Sequence, residues 1–219
     1  MEMEISQYKK VLSDAFTRHY HGKSDEWTSE NEMRIIPSII LNEIKINNNG
    51  NVLDIGCGAG YDTEYFSYFF NSVLGIDLYE HPRFKKVIKK NKNIIFQSNH
   101  FLDIDFSKKF NLILDNGCFH HQHPKIFRSY LDKIHSLMDL NSVFVLSTFK
   151  NEEKENQYLS DSIHQIIDKF GRIHRYFNDI ELKDLLEDRN FEVFKSIKIP
   201  RNKSGNFYRL FFCRHLKNN

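Results

Sequence analysis

The segment VLDIGCGAGYDTEYF, residues 52–66, constrains this chain more than any other. Its first four residues are a short run of the kind that forms a buried strand. Gly56, Gly58 and Gly60 follow at alternate positions, and YDTEYFSYFF then has the spacing of a helix. A strand that turns at once into a helix through residues without a Cβ makes a tight turn, and it lets a ligand approach the main chain closely. The dinucleotide fingerprint G-x-G-x-x-G would place its third glycine, or an alanine, at position 61. Tyr61 stands there instead, so the spacing argues against a pyrophosphate clamp.

The pattern continues on both sides. SVLGID reads as a strand, HPRFKKVIKK as a basic helix, and NIIFQS and FNLILD as strands. A helix over roughly 124–138, the strand NSVFVLST and a polar helix over about 152–169 follow. Short apolar strands separated by helices build βαβ units around a parallel sheet. Near the end, Asn178 and Glu181 have the spacing of a helix cap, and FEVFKSIKIP and NFYRLFFCRH are strands joined by RNKSG. That pair predicts an antiparallel hairpin on the sheet edge. The fold class is therefore α/β, a doubly wound, mostly parallel sheet of seven strands with an antiparallel C-terminal edge pair.

Upstream, residues 4–20 have helical apolar spacing, and HGKSDEWT is a polar loop. Ser29 and Glu32 form a capping-box pattern before an apolar run to Ile44, in which Pro37 kinks the helix or delays its start. These boundaries give a helical segment or lid over 1–46 and a main domain over 47–219. Residues 151–177 form an insertion in what is effectively one domain.

Composition removes several classes of partner. A net charge of +2 argues against a strongly electrostatic nucleic-acid binder. The one basic cluster (Arg83, Lys85, Lys86, Lys89, Lys90, Lys92) reads as a solvated helix face with only Phe84 as an aromatic. No run approaches the roughly 20 apolar residues of a membrane span. The start MEMEISQYKK has no apolar core, so no secretory signal is expected. Cys57, Cys118 and Cys213 are far apart, which suits reduced thiols in the cytoplasm.

Two acids flank the glycine loop. Asp77 ends the second strand, where a carboxylate can accept from two ribose hydroxyls. Asp54 lies under the loop, and with no diphosphate to bind it suits a cationic ligand. With these residues in register, VLDIGCGAG followed by GID resembles the first two motifs of the class I S-adenosylmethionine-dependent methyltransferases, over residues 50–149 with a compatible tail to 215.

The resemblance implies a Rossmann-like sheet, S-adenosylmethionine as cofactor and S-adenosylhomocysteine as product. It implies backbone contacts from Gly56, Cys57 and Gly58 to the methionyl part, with Gly60 completing the loop. Asp54 would organise the amino end, Asp77 would accept from the ribose, and Leu78 would pack on the adenine. Where the family often has Gly-Asp after the next strand, this chain has Asn99-His100. His100 replaces that acceptor only if it is neutral with a lone pair facing the adenine; Asp103 and the backbone at Phe101 are the alternatives. FNLILDNGCFHH resembles the fourth motif, making Asp115, Asn116 and Gly117 cofactor contacts.

The stretch DNGCFHHQH then lies beside the transferable methyl. His120 and His121 are the candidate general bases, since an acceptor that carries a proton must lose it. HHQH lacks the i, i+4 pairing of a zinc helix and no CxxC supports it, so no metal is expected. Adjacent Cys118 and histidines lack the geometry of a nucleophile pair, and Cys118 reads as packing. The acceptor pocket is expected from Tyr20, His21, Trp27, Phe149 and Arg175, around a small-molecule acceptor. Two other readings stay open: a nucleotide-binding or NAD-dependent oxidoreductase on a similar sheet, and a methyltransferase-like module that has lost catalysis.

Overall fold

The computed structural model describes residues 3–21, 30–44, 49–151, 165–167, 171–201 and 206–216. Five strands run parallel: β1 (Asn51–Ile55), β2 (Ser72–Asp77), β3 (Ile94–Ser98), β4 (Phe110–Asn116) and β5 (Met138–Asn151). Two more close the edge. The sixth in sequence and the seventh, β6 (Gln165–Ile167) and β7 (Ile173–Arg175), form a separate antiparallel pair. The chain then returns through β8 (Phe191–Pro200) and β9 (Asn206–His215), and β9 inserts antiparallel between β5 and β8. The order β3-β2-β1-β4-β5-β9-β8 is the expected seven-stranded sheet with its antiparallel finish.

Strand alternation sends side chains to both faces. Val52 and Val73 point to one layer, where they meet α3 (Ile36–Glu43), α4 (Tyr61–Ser67) and α5 (Arg83–Lys90) through Ile40, Phe66 and Val87. Leu53 and Ile113 point to the other, against α6 (Phe127–Ser136) and α7 (Asp179–Glu187). Both faces are covered, which is why the central strands read as continuous apolar runs. The cap on α7 forms as expected, with the Asn178 Oδ1 accepting from the Glu181 amide at 2.6 Å.

Of three local expectations, one falls outside the described residues, one holds and one changes. Ser29 lies outside the described residues, and the residue preceding α2 (Asn31–Arg34) is Glu30, whose side chain makes no cap. Glu30 is drawn away by tertiary partners: it accepts from the Tyr208 hydroxyl and pairs with Arg201. Pro37 sits in the first turn of α3, where its missing N–H would have had no helical partner. The polar helix expected over 152–169 is a strand at 165–167, because Ile167 and its neighbours pair with Ile173–Arg175; residues 152–164 and 168–170 lie outside the described residues.

The N-terminal helix α1 (Ile5–His21) buries Tyr8, Leu12, Ala15 and His19. It lies across the loop after β1, with Leu78 packed against its apolar face. Among the described residues no helix is long and apolar enough to cross a membrane.

Candidate active site

A cleft of about 990 Å³, part of it open to solvent, lies at the carboxyl ends of β1, β2 and β4. The strand order reverses at β1, which is where doubly wound sheets open a crevice. Its floor is the glycine loop. Gly56, Gly58 and Gly60 all have positive φ, at 73°, 54° and 73°. The loop is also hemmed in: a Cβ on Gly56 would lie 2.6 Å from the Cβ of Cys118, and one on Gly58 would lie 2.7 Å from the Tyr20 hydroxyl. Tyr20 reaches this position from α1 and stacks on Tyr79, with ring centroids 5.1 Å apart.

Asp77 is oriented by backbone donors. Its Oδ2 accepts from the Gly58 amide at 2.8 Å and its Oδ1 from the Tyr79 amide at 3.0 Å. Burial pushes its carboxyl up and these amides pull it back. A carboxylate has about four acceptor positions, so these amides leave capacity for a ligand. Asp54 is buried beneath the loop, and its Oδ2 accepts from the Thr63 hydroxyl at 2.5 Å. Desolvation raises its carboxyl well above the usual range, and the neighbouring Asp62 and Asp77 add to the rise.

Asp62 begins α4 and is itself buried. Its Oδ1 lies 3.0 Å from the Arg34 guanidinium, as an ion pair without hydrogen-bond alignment, and its Oδ2 accepts from the Asn116 amide at 2.9 Å. Arg34 is the one Lys or Arg lining the cleft among the described residues. It also lies over the Tyr61 ring at 5.2 Å, with Arg83 at 3.7 Å from the same ring.

After β4 the chain makes a tight turn at 119–121. Asp115 builds that turn from below: its carboxylate accepts from the amides of Cys118 (2.7 Å) and Phe119 (3.0 Å) and from the Tyr130 hydroxyl (2.6 Å). The turn sets His121 in the cleft wall. The His121 Nδ1 is 2.7 Å from the Ile173 carbonyl oxygen, which can only accept. Nδ1 therefore carries the proton and Nε2 keeps the lone pair. His120 is buried behind Gly117 and Phe149, and neither ring nitrogen has a hydrogen-bond partner. Desolvation, followed by His121, His174 and Arg172, holds its pKa well below the ordinary histidine value. One ring nitrogen from each of His120, His121 and His174 lies within 4.8 Å of the others.

A family profile described as "Methyltransferase domain" matches residues 29–196. A curated relative from Staphylococcus carnosus, described as an uncharacterized methyltransferase, is 28% identical over 90% of this chain and 86% of its own. A crystal structure of the Burkholderia thailandensis 1,6-didemethyltoxoflavin-N1-methyltransferase, with 1,6-didemethyltoxoflavin and S-adenosylhomocysteine bound, aligns with a TM-score of 0.87. It is 30% identical and covers 99% of this chain and 92% of its own. The N-methyltransferase NodS of Bradyrhizobium japonicum shares the fold at 14% identity, with a TM-score of 0.70 over 94% of this chain and all of its own.

This chain belongs to the methyltransferase-domain family. It is a class I S-adenosylmethionine-dependent methyltransferase, and S-adenosylhomocysteine is its product. The cleft residues fit that cofactor: a carboxylate with spare acceptor capacity ends β2, glycines admit close approach, and the Asn116 Oδ1 is buried beside the cleft without a partner.

Most residues expected from the sequence do line the methyltransferase cleft: Asp54, Gly56, Cys57, Gly58, Asp77, Leu78, Phe101, Asn116, Gly117 and His121, with Tyr20 and Phe149 on the walls. Gly60 shapes the loop from outside the lining. Five other expected residues do not line the cleft. His120, expected as a base, is buried behind Gly117 and Phe149 and does not reach the lining. Asp115 faces the interior, because its acceptor positions serve the turn and Tyr130. His100 is no free acceptor: its Nδ1 takes the Leu102 amide, so its Nε2 carries the proton and donates to the Gln122 Oε1 at 3.1 Å. Arg175 pairs with Glu181 at 2.9 Å and covers the Phe127 and Phe177 rings. His21 is exposed against Tyr79, outside the lining. Asp103, the alternative to His100, is paired with Lys9 at 2.6 Å. Trp27 lies outside the described residues. Sequence reasoning missed Arg34, Asp62 and Gln122. Nothing local marks them, since each acquires its role from a partner distant in the chain.

Proposed function

We propose that the methyltransferase acts on a flat, small-molecule acceptor, at a nitrogen whose proton His121 removes. The observation that carries this is the placement of His121: its ring lines the cleft, and the Ile173 carbonyl at Nδ1 sets the tautomer in which Nε2 is the basic nitrogen. The aromatic walls from Phe16, Tyr20 and Phe149 suit a flat acceptor. The Burkholderia relative, an N1-methyltransferase that holds 1,6-didemethyltoxoflavin, supports nitrogen as the acceptor atom and a small molecule as its carrier.

When bound, the cofactor supplies an electrophilic methyl group on a sulfonium, and the C–S bonding pair stays with sulfur in the product. The chain's own part is alignment, exclusion of water and proton removal. Asp77 and the glycine loop would hold the nucleoside and methionyl parts, with Leu78 and the backbone at Phe101 beside the adenine. As the acceptor nitrogen gains the methyl, its proton passes to the His121 Nε2, and the Ile173 carbonyl stabilises the resulting imidazolium through Nδ1–H. His120 stays neutral beside it, since the uncharged form is favoured by burial. His120 and His174 complete an imidazole cluster around His121, with one ring nitrogen of each within 4.8 Å of the others, and the Arg172 charge that acts on His120 disfavours a dication there.

The test is methylation of 1,6-didemethyltoxoflavin by the purified chain, followed by mass spectrometry and S-adenosylhomocysteine release. His121→Ala should lower the single-turnover rate by about 10²–10⁴-fold and flatten its fall at acid pH. A His121→Ala enzyme with the wild-type rate at every pH would remove the base assignment. Methylation confined to oxygen or carbon acceptors would overturn the nitrogen assignment.

A further inference from the structure

The Asn116 side chain is fixed in one of its two amide orientations. The Asp62 Oδ2, 2.9 Å away, can only accept, so the group facing it is the NH₂ and Oδ1 points the other way. That Oδ1 is buried and has no partner, although an unmet buried acceptor costs about 1–3 kcal/mol. The second Asp62 oxygen holds Arg34, whose Nε is likewise buried without a partner. Arg34, Asp62 and Asn116 all line the cleft, although they come from α2, α4 and β4. Burial pushes the Asp62 carboxyl up, while Arg34 and Asn116 pull it down.

We propose that Asp62 is a positioning residue whose two oxygens hold an acceptor, the Asn116 Oδ1, and a cation, Arg34, as a matched pair for the zwitterionic amino-acid end of the cofactor. The chemistry is complementary on both sides. An α-ammonium needs an oriented acceptor, and an α-carboxylate needs a guanidinium. One buried carboxylate serves both and stays off the ligand. Asp54 does not compete for this role, because its Oδ2 is taken by Thr63 and its burial favours the protonated form. The inference rests on the cofactor assignment above and names the residue that sets its amino-acid subsite.

The experiment is calorimetric titration of the full chain with S-adenosylhomocysteine and with 5′-methylthioadenosine, which keeps the nucleoside and sulfur but lacks the amino-acid chain. Asp62→Ala should weaken S-adenosylhomocysteine binding about tenfold or more and leave 5′-methylthioadenosine binding within about twofold. Asp62→Asn keeps an oxygen for Asn116 but loses the charge that holds Arg34, so its loss should fall between. Should Asp62→Ala fail to fold, Asn116→Ala carries the same selective expectation. Equal losses for both ligands would mean a collapsed loop and overturn the positioning role, as would an unchanged affinity for S-adenosylhomocysteine. A wild-type chain that binds neither ligand would sink the cofactor assignment itself, and this inference with it.

Discussion

At the scale of single residues, Asp115 shows how a carboxylate near an active site can be wholly structural. Its oxygens serve two backbone amides and the Tyr130 hydroxyl, and burial still raises its pKa from 3.8 to about 6. A raised carboxyl favours the protonated form in the folded state. Its stabilising contribution is therefore fully present below the unfolded pKa and is lost as pH rises through about 6. The shift corresponds to about 3 kcal/mol across that window. Asp115→Asn should keep the turn, because the amide oxygen can take the two N–H groups while Tyr130 rotates to accept. Urea midpoints at about pH 4 and about pH 7 should differ less in the variant than in the wild type. An unchanged difference would show that Asp115 does not titrate in this range.

His100 makes a related point. Residue identity suggested a possible adenine acceptor, and identity is all a sequence offers at that position. Its tautomer is set by the Leu102 amide on one side and by Gln122 on the other, and the second partner is supplied by the turn after β4. A hydrogen-bond direction across such a distance has no local signature in the chain.

At the scale of elements, the legible ones were those whose pattern is local. The glycine loop was read from its spacing, because positive φ at three alternate positions excludes most other residues. Helix α1 was read from its apolar stripe, and that stripe does pack, through Tyr8, Leu12 and Ala15. Leu12 also lines the cleft, so α1 contributes both to the core and to the cover of the site. Leu12→Ala should cost about 2–5 kcal/mol, read as a lower urea midpoint with an unchanged slope. An unaltered midpoint would detach α1 from the cooperative fold. β6 was misread as helix because three residues carry too little periodicity; its strand exists through pairing with β7. The expected capping box rests on Ser29, which lies outside the described residues; the residue before α2 is Glu30, held by Arg201 and Tyr208 on the returning chain.

At the scale of the whole molecule, ligand binding and folding are linked through the loop after β1. Asp77 joins β2 to that loop through the Gly58 amide, and the same carboxylate faces the cleft. S-adenosylhomocysteine at about 100 times its Kd should stabilise the fold by about 2.7 kcal/mol, which for a chain of this size raises Tm by about 5–11 °C. In Asp77→Ala most of that rise should disappear at the same ligand concentration. A full ligand-induced rise in the variant would remove Asp77 from the cofactor site.

What the sequence determined by itself was the sheet, its doubly wound order, the antiparallel finish and the glycine loop. Each follows from short-range rules: apolar runs of strand length, glycines where the backbone must be left-handed, and an acid at the end of the next strand. The tertiary structure alone decided which polar groups face the cleft. Asp62 and Arg34 join the site because Asn116 arrives on β4 to complete the pair. Asp115 leaves it because Tyr130 waits beneath. The His121 tautomer is set because Ile173 on β7 places its carbonyl 2.7 Å from Nδ1. Hydrogen-bond direction and burial depend on partners brought together only when the layers close, and no periodicity along the chain encodes them.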